Sequence, residues 1–510
     1  MRNARFLYLL LTTLILGCAT QPPSENGQVS QPLTWRIHCE TDKSFSLDMK
    51  AVPGVYHGAW LWAQGDDGEL VYLRGRLQGG YFLLQEAITE GGQIIPADRQ
   101  SLRQLCLDTI ARDEPRDLGR VMAARDSRDL DVPIVYLDET NSRDEVNRLV
   151  VFGDSLSDAG RIKHRLQVFP GKPYWLGRFS NGPVWPDYLE QVSSLAVLNR
   201  AYGGASINPP HDIDEAGLIG FVKDEGRFFV SGNLSDQIDL YLQDQANPGR
   251  IDSPDNTAYL IWAGANDYIS KEPISGLITT FLNRPRGEQG YQSVADDTIV
   301  GIAEQVRTLY GAGARRFLLL NLPDLGLSPI VLQNDSYSSG LGLTSDTGRR
   351  VELSRRLSRL TDYHNQVLVS QVDTLREELS DADILLVDSY ALTNRIFASG
   401  AEAAESGAEN FGFTLDRLYR ELSYDGNQVR LQQACYTGMY LGSLDDSETC
   451  DYAGSALFWD VIHPATLAHC WQAYQIGDAL IEAGWIAPLL DVESHLGWCQ
   501  QRIDGLISSR

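Results

Sequence analysis

"LVVFGDSLSDAG", residues 149–160, runs four apolar residues into Gly153, Asp154, Ser155, Leu156, Ser157 and Asp158. A short continuous apolar run ending at a glycine fits a strand buried on both faces of a parallel sheet. In such sheets ligands bind beyond the carboxyl ends of the strands. The run therefore predicts that Ser155 sits on the turn between a buried strand and a following helix. Gly153 there permits a tight backbone approach, and the helix offers its N-terminus to negative charge. A serine that merely caps the helix is an equally good reading of this segment alone.

Working outward, "TAYLIWAG" (257–264), "RRFLLLNL" (315–322) and "DILLVDS" (383–389) are further continuous apolar runs. Between them lie helical patterns, the clearest over 349–379, where Leu353, Leu357, Leu360, His364, Leu368 and Val372 recur at helical spacing. Strands alternating with helices predict an α/β domain with a parallel sheet, over 146–510. Gly-, Ser- and Glu-rich stretches near 270–296, 333–348 and 399–428 read as insertions over that core. Upstream, "GVYHGAWLWAQ", "GELVYLRGRL" and "GGYFLLQEAI" are rich in aromatic and branched residues separated by Gly and Asp. They predict a small, mostly antiparallel β domain over 34–145, closed by a helix over 99–111. The charged segment 113–148 reads as its link to the α/β domain.

The net charge of −25 sets up a field that repels phosphate backbones and anionic bilayers, which makes nucleic-acid binding a poor expectation. The first 18 residues carry Arg2 and Arg5, an apolar run from Phe6 to Leu16, then Gly17 and Cys18. That layout is a secretory signal peptide, too short to span a bilayer comfortably. Ile15-Leu16-Gly17-Cys18 also resembles a bacterial lipobox, in which the cysteine is acylated and anchors the protein at the outer membrane. Leu16 departs from the usual small residue there, so plain secretion stays open. Residues 19–33 are polar and proline-containing and read as a tether. With Cys18 set aside, Cys39, Cys106, Cys435, Cys450, Cys470 and Cys499 remain, an even number in an exported chain. Proximity in sequence pairs Cys39 with Cys106, Cys435 with Cys450 and Cys470 with Cys499.

Three more segments bear on Ser155. "NRAYGGAS" (199–206) places Gly203 and Gly204 where an unshielded N–H can face a substrate, and "LIWAGANDYI" (260–269) ends a strand at Gly264, Asn266 and Asp267. "FWDVIHPATLAH" (458–469) supplies Asp460 and His463, three residues apart. In that order the segments resemble the motifs of the GDSL lipases and esterases, also called SGNH hydrolases. The resemblance covers roughly Leu149 to the C-terminus and implies a three-layer α/β/α fold.

By position, the resemblance makes Ser155 the nucleophile, His463 the general base and Asp460 the group that orients the imidazole. The oxyanion hole would be the N–H of Ser155, the N–H of Gly204 and the side-chain amide of Asn266. Gly203 in place of Gly204 stays open. "PYWLGRFSNGPVWPDYL" (173–189), "LSDQIDLYL" (234–242), "NLPDLGLSPI" (321–330), "NFGFTL" (410–415) and "ACYTG" (434–438) narrow the likeness. They resemble the branch with secreted bacterial phospholipases, thermolabile haemolysins and glycerophospholipid:cholesterol acyltransferases. Within the first of these segments Trp175, Phe179 and Trp185 read as core residues.

The likeness implies hydrolysis of acyl esters of glycerophospholipids or lysophospholipids, with acyl transfer to an alcohol as a variant. The acidic surface favours zwitterionic over anionic lipids. The rivals are a short-chain or carbohydrate acetylesterase and a surface-binding lipoprotein with a vestigial hydrolase domain. No GxSxG elbow, HExxH spacing or dinucleotide fingerprint is present, so neither cofactor nor metal is expected.

Overall fold

The computed structural model describes five strands between residues 36 and 124 and most of the chain from 145 to 508. Within the latter span, 167–169, 172, 194, 208–232, 246–253, 272–277, 281–287, 332–346, 407–409, 415–418, 425–426, 439–448 and 489–493 are not described. The leader and tether readings over 1–33, Cys18, the helix over 99–111 and Cys106 fall outside the described residues.

The upstream strands are β1 (Arg36–Thr41), β2 (Gly58–Gln64), β3 (Leu70–Gln78), β4 (Tyr81–Leu84) and β5 (Leu118–Ala124). They pair antiparallel in the order β2-β3-β4-β1-β5. The three aromatic-rich segments supply β2, β3 and β4. β5 corrects the reading of 113–148 as a link only, because "LGRVMAA" pairs along β1 despite the charges that flank it.

The second sheet contains β6 (Arg148–Gly153), β7 (Ala196–Asn199), β8 (Thr257–Trp262), β11 (Arg316–Leu320) and β12 (Asp383–Val387). Two hairpins stand apart from it: β9 (Ile269–Lys271) with β10 (Ile278–Thr280), and β13 (Tyr419–Tyr424) with β14 (Asn427–Gln432). These fall in two of the three stretches read as insertions. The helices are α1 (Arg161–Leu166), α2 (Trp185–Val192), α3 (Leu234–Gln245), α4 (Ala265–Tyr268) and α5 (Glu288–Gly311). Then follow α6 (Thr347–Glu378), α7 (Ser389–Ser406), α8 (Thr466–Glu482) and α9 (His495–Ser508).

All five strands of the large sheet are parallel, in the order β7-β6-β8-β11-β12. The first strand thus sits between the second and the third, and the strand order reverses between β6 and β8. That reversal opens a crevice at the carboxyl ends of β6 and β8.

Strand side chains alternate between two cores. Leu149, Val151, Leu260, Trp262 and Leu320 pack with residues of α2, α7, α8 and α9. Val150, Phe152, Tyr259, Ile261 and Phe317 pack with α3, α5 and α6 on the opposite face. Both faces of every strand are covered, which is why their sequences are apolar without alternation. The four quoted apolar runs correspond to β6, β8, β11 and β12, and the fold is the α/β architecture expected. β7 was not expected as a strand. "AVLN" is too short to carry a pattern, and its pairing with β6 defines it.

Two disulfides join described cysteines: Cys435 with Cys450, and Cys470 with Cys499, as proximity in sequence suggested. The second ties α8 to α9 across a sequence separation of 29 residues. Chain entropy for a loop of that length predicts about 3 to 4 kcal/mol of stabilisation. A Cys470→Ala/Cys499→Ala protein is expected to lose roughly that amount in urea unfolding followed by circular dichroism.

Candidate active site

Gly153 ends β6 against β8. A Cβ there would lie 2.3 Å from the Trp262 carbonyl oxygen, so only glycine fits. Its N–H donates to Gln237 Oε1 at 3.0 Å and its carbonyl accepts from Gln237 Nε2 at 2.9 Å. The same carbonyl takes the Tyr202 N–H at 3.1 Å, which draws the glycine pair against the end of β6.

Beyond Gly153 the chain turns: the Asp154 carbonyl accepts the N–H groups of Ser157 and Asp158. The helix expected to follow the turn begins at Arg161, and Asp158 caps it. Asp158 Oδ1 accepts from Arg161 N–H at 2.6 Å and Oδ2 from Ile162 N–H at 3.2 Å. The positive end of α1 is therefore satisfied by Asp158, and offers nothing to an anion at Ser155. Ser155 is left at the tip of the turn as neither cap nor strand residue.

His463 Nε2 lies 2.8 Å from Ser155 Oγ, and its Nδ1 lies 2.8 Å from Asp460 Oδ2. All three side chains are buried. Four donors converge on Asp460: the N–H groups of Ile462 and His463 on Oδ1, and His463 Nδ1 and the Tyr174 hydroxyl on Oδ2. A carboxylate, which only accepts, satisfies all four. It fixes the proton on Nδ1 and turns the bare Nε2 lone pair toward the serine hydroxyl, the arrangement that removes a proton as oxygen attacks. The imidazole lies against the Phe179 ring with centroids 5.0 Å apart. The same segment carries the buried, two-bonded Arg178–Asp187 pair.

Gly203 and Gly204 are now distinguishable. The Gly203 N–H donates to Asp158 Oδ2 at 2.8 Å. Gly204 has φ +82°, and among the described residues its N–H has no acceptor. The Ser155 N–H is likewise without an acceptor among the described residues. Asn266 Nδ2 donates to the Ala205 carbonyl at 2.9 Å, which brings the amide to the Gly204 loop and leaves its second proton to point elsewhere. Behind Asn266, the Tyr268 hydroxyl meets His364 Nδ1 on α6 at 2.8 Å. Burial keeps His364 neutral, pushing it down to about 3.

A cavity opens beside Ser155 and Asn266 at the carboxyl ends of β8, β11 and β12. Leu156, Trp262, Leu325, Leu392, Ile396 and Phe458 give it a mainly apolar wall. Trp175 and Trp185 belong to the core, as expected, whereas the equally buried Phe179 also braces the histidine. Among the described residues no cluster of three His, Cys, Asp or Glu is arranged to hold a metal.

Gln237, Tyr174 and Asp158 hold the site together, and the sequence reading did not single them out. Asp158 was findable, three residues ahead of a helix and so an N-cap candidate. Gln237 and Tyr174 lie 84 and 286 residues from their partners, and no local signal marks them.

Asp154 Oδ1 accepts the Leu156 N–H, but the buried Oδ2 has no partner. Burial, reinforced by the negative charge of Asp267, pushes Asp154 up to about 7. Because the folded value exceeds the unfolded one, the folded state gives up stability as pH rises through about 7 and keeps it under acid. In Asp154→Asn that loss disappears, so the melting temperature of the variant relative to wild type should be higher at pH 8.5 than at pH 5.5, by calorimetry. Gly203→Ala should act on the histidine. The new Cβ would lie 2.2 Å from Phe179 and press that ring against His463. A fall in kcat of about tenfold to a hundredfold on a chromogenic ester is expected. Partial recovery is expected in Gly203→Ala/Phe179→Leu.

Comparison with known proteins bears on the whole constellation. The profile of the GDSL-like Lipase/Acylhydrolase family matches residues 149–476. The phosphatidylcholine-sterol acyltransferase of Aeromonas hydrophila is 26% identical over 349 residues, covering 64% of this chain and 88% of that protein. The thermolabile hemolysin of Vibrio parahaemolyticus is 25% identical over 455 residues, covering 88% of this chain and 87% of the hemolysin. A GDSL esterase/lipase of Arabidopsis thaliana is 25% identical over 344 residues, covering 62% of this chain and 84% of the plant protein. With a strand order, a serine turn and a matched span that all agree, the chain belongs to the GDSL-like lipase/acylhydrolase family and is an ester hydrolase.

Proposed function

We propose that Ser155 attacks the acyl carbonyl of a glycerophospholipid or lysophospholipid, forming an acyl-enzyme that water or an alcohol then resolves. The hydrogen-bonded line from Ser155 Oγ through His463 to Asp460, opening on an apolar cavity, carries this reading. His463 takes the serine proton as the tetrahedral intermediate forms and returns it to the leaving alcohol as the ester C–O bond breaks. A second oxygen nucleophile then reverses these steps on the acyl-enzyme. Asp460 holds the imidazole in the tautomer that this exchange needs and stabilises the imidazolium.

The negative charge that builds on the carbonyl oxygen is met by the N–H groups of Ser155 and Gly204 and by the free amide proton of Asn266. Loss of one such donor typically costs about 2.7 to 4 kcal/mol of transition-state stabilisation. The acyl chain lies in the cavity walled by Leu156, Leu392, Ile396 and Phe458. An acetyl group would leave most of that wall uncovered, which favours a longer acyl chain over an acetylesterase. The likeness to a phosphatidylcholine-sterol acyltransferase and to a hemolysin supports a lipid ester and keeps an alcohol acceptor in play.

The same reading places the protein outside the cytoplasm, secreted or held at the outer membrane through Cys18. Two disulfides favour an oxidising compartment, and the leader-like first 18 residues fit export.

Fatty-acid release from phosphatidylcholine and lysophosphatidylcholine, beside hydrolysis of p-nitrophenyl acetate and octanoate, tests the proposal against a Ser155→Ala control. The expected result is lipid hydrolysis and octanoate turnover, both lost in the variant by about three orders of magnitude or more. Turnover of acetate alone would move the assignment to a small-ester hydrolase.

A further inference from the structure

Two polar side chains in the wall of the acyl cavity keep hydrogen-bonding capacity that no described residue meets. His469 and Gln472 lie one turn apart on α8, are 2% and 5% exposed, and line the same cavity as Ser155. Among the described residues no group hydrogen-bonds either ring nitrogen of His469. Gln472 donates one amide proton to Gln475 Oε1 at 3.3 Å, and its own carbonyl oxygen accepts nothing from the described residues. Neither His469 ring nitrogen nor the Gln472 amide oxygen is among the fully buried atoms without a partner, so each keeps some contact with the cavity space, and a ligand that strips that contact without replacing it is penalised.

Burial pushes His469 down to about 3, so the ring is neutral and presents one donor and one acceptor. The cavity wall is mainly apolar, with Leu156, Leu457, Pro464 and Ala468 among its residues. An unsubstituted alkyl chain drawn along this wall strips solvent from His469 and Gln472 and returns no hydrogen bond. A chain with an oxygen at the right depth returns one or two. Sites built to bond a hydroxyl discriminate far more sharply than apolar pockets discriminate by size.

We propose that His469 and Gln472 form a polar subsite in the acyl cavity that selects acyl groups bearing a hydroxyl or keto oxygen over unsubstituted chains of equal length. The inference rests on the reading that the acyl group occupies this cavity while Ser155 attacks. Neither residue hydrogen-bonds Ser155, Asp460 or His463, and His469 feels His463 only through space, so the subsite is assigned to specificity and read by ratios between substrates.

The test compares kcat/KM for p-nitrophenyl octanoate with that for octanoates hydroxylated at the third, sixth or eighth carbon. The full chain, His469→Leu, His469→Gln and Gln472→Leu are assayed. At one hydroxyl position the wild-type ratio of hydroxylated to plain ester should exceed that of His469→Leu by about tenfold, the scale of one hydrogen bond. His469→Gln, which restores a donor and an acceptor, should retain part of the preference. Because each ratio is internal to one variant, a general loss of activity or stability cancels. Should His469→Leu fail to fold, His469→Gln and Gln472→Leu carry the same comparison. Equal ratios in wild type and variants at every position would overturn the subsite while leaving Ser155 untouched. A wild-type protein that hydrolyses none of the esters would overturn both readings, and loss of turnover in Ser155→Ala keeps the two apart.

Discussion

At Gly153 the main chain passes so close to β8 that one methyl group would meet the Trp262 carbonyl oxygen, and the groups around Ser155 are placed from that contact. The Gln237 amide grips both backbone groups of Gly153, and the carbonyl also draws in Tyr202. One glycine thereby joins three things: the end of β6, the turn that carries Ser155 and the loop that carries Gly204. The crevice between β6 and β8 exists because strand order reverses there. The glycine lets the backbone fill that crevice without closing it.

Asp158 performs the matching task on the far side of the turn. It accepts from Arg161 with one oxygen and shares the other between Ile162 and Gly203, so the serine turn and the glycine loop are tied together. Burial pushes Asp158 up to about 6, with its three backbone donors opposing the shift. The neighbouring Asp154 is pushed to about 7 and lacks a partner for one oxygen. Burying two carboxyl groups beneath the serine turn costs stability, in keeping with the general conflict between stability and an organised site.

The hydrogen-bonded line of Ser155, His463 and Asp460 is braced from segments that are remote in sequence. Asp460 and His463 sit three residues apart, yet Tyr174 hydrogen-bonds Asp460 and Phe179 lies against the imidazole, both from the segment that carries the buried Arg178–Asp187 pair. On the other side, the Cys435–Cys450 bridge lies beside this loop: Cys435 and Tyr436 hydrogen-bond along Phe458 and Trp459, and Tyr436 stacks on Trp459. The residues that position His463 thus come from both ends of the α/β domain, which meet only in the folded chain.

Much of this was legible in the sequence, for a physical reason. Strands covered on both faces must be apolar at every position, so β6, β8, β11 and β12 announce themselves, and their carboxyl ends pick out Ser155 and Asn266. The spacing of Asp460 and His463 is local and equally readable. Four-residue β7 and seven-residue β5 were not, because their strand character comes from the neighbours they pair with. Nor could composition separate Gly203 from Gly204. Their difference is one hydrogen bond to Asp158, 45 residues away in sequence. The sequence by itself determined the sheet, the serine turn and the Asp460–His463 spacing, since burial and short-range geometry leave marks in neighbouring residues. Only the tertiary structure decided which amides stay free and which side chains brace the histidine. It alone set a neutral His469 in the cavity beside Ser155, because such contacts join residues that no local pattern connects.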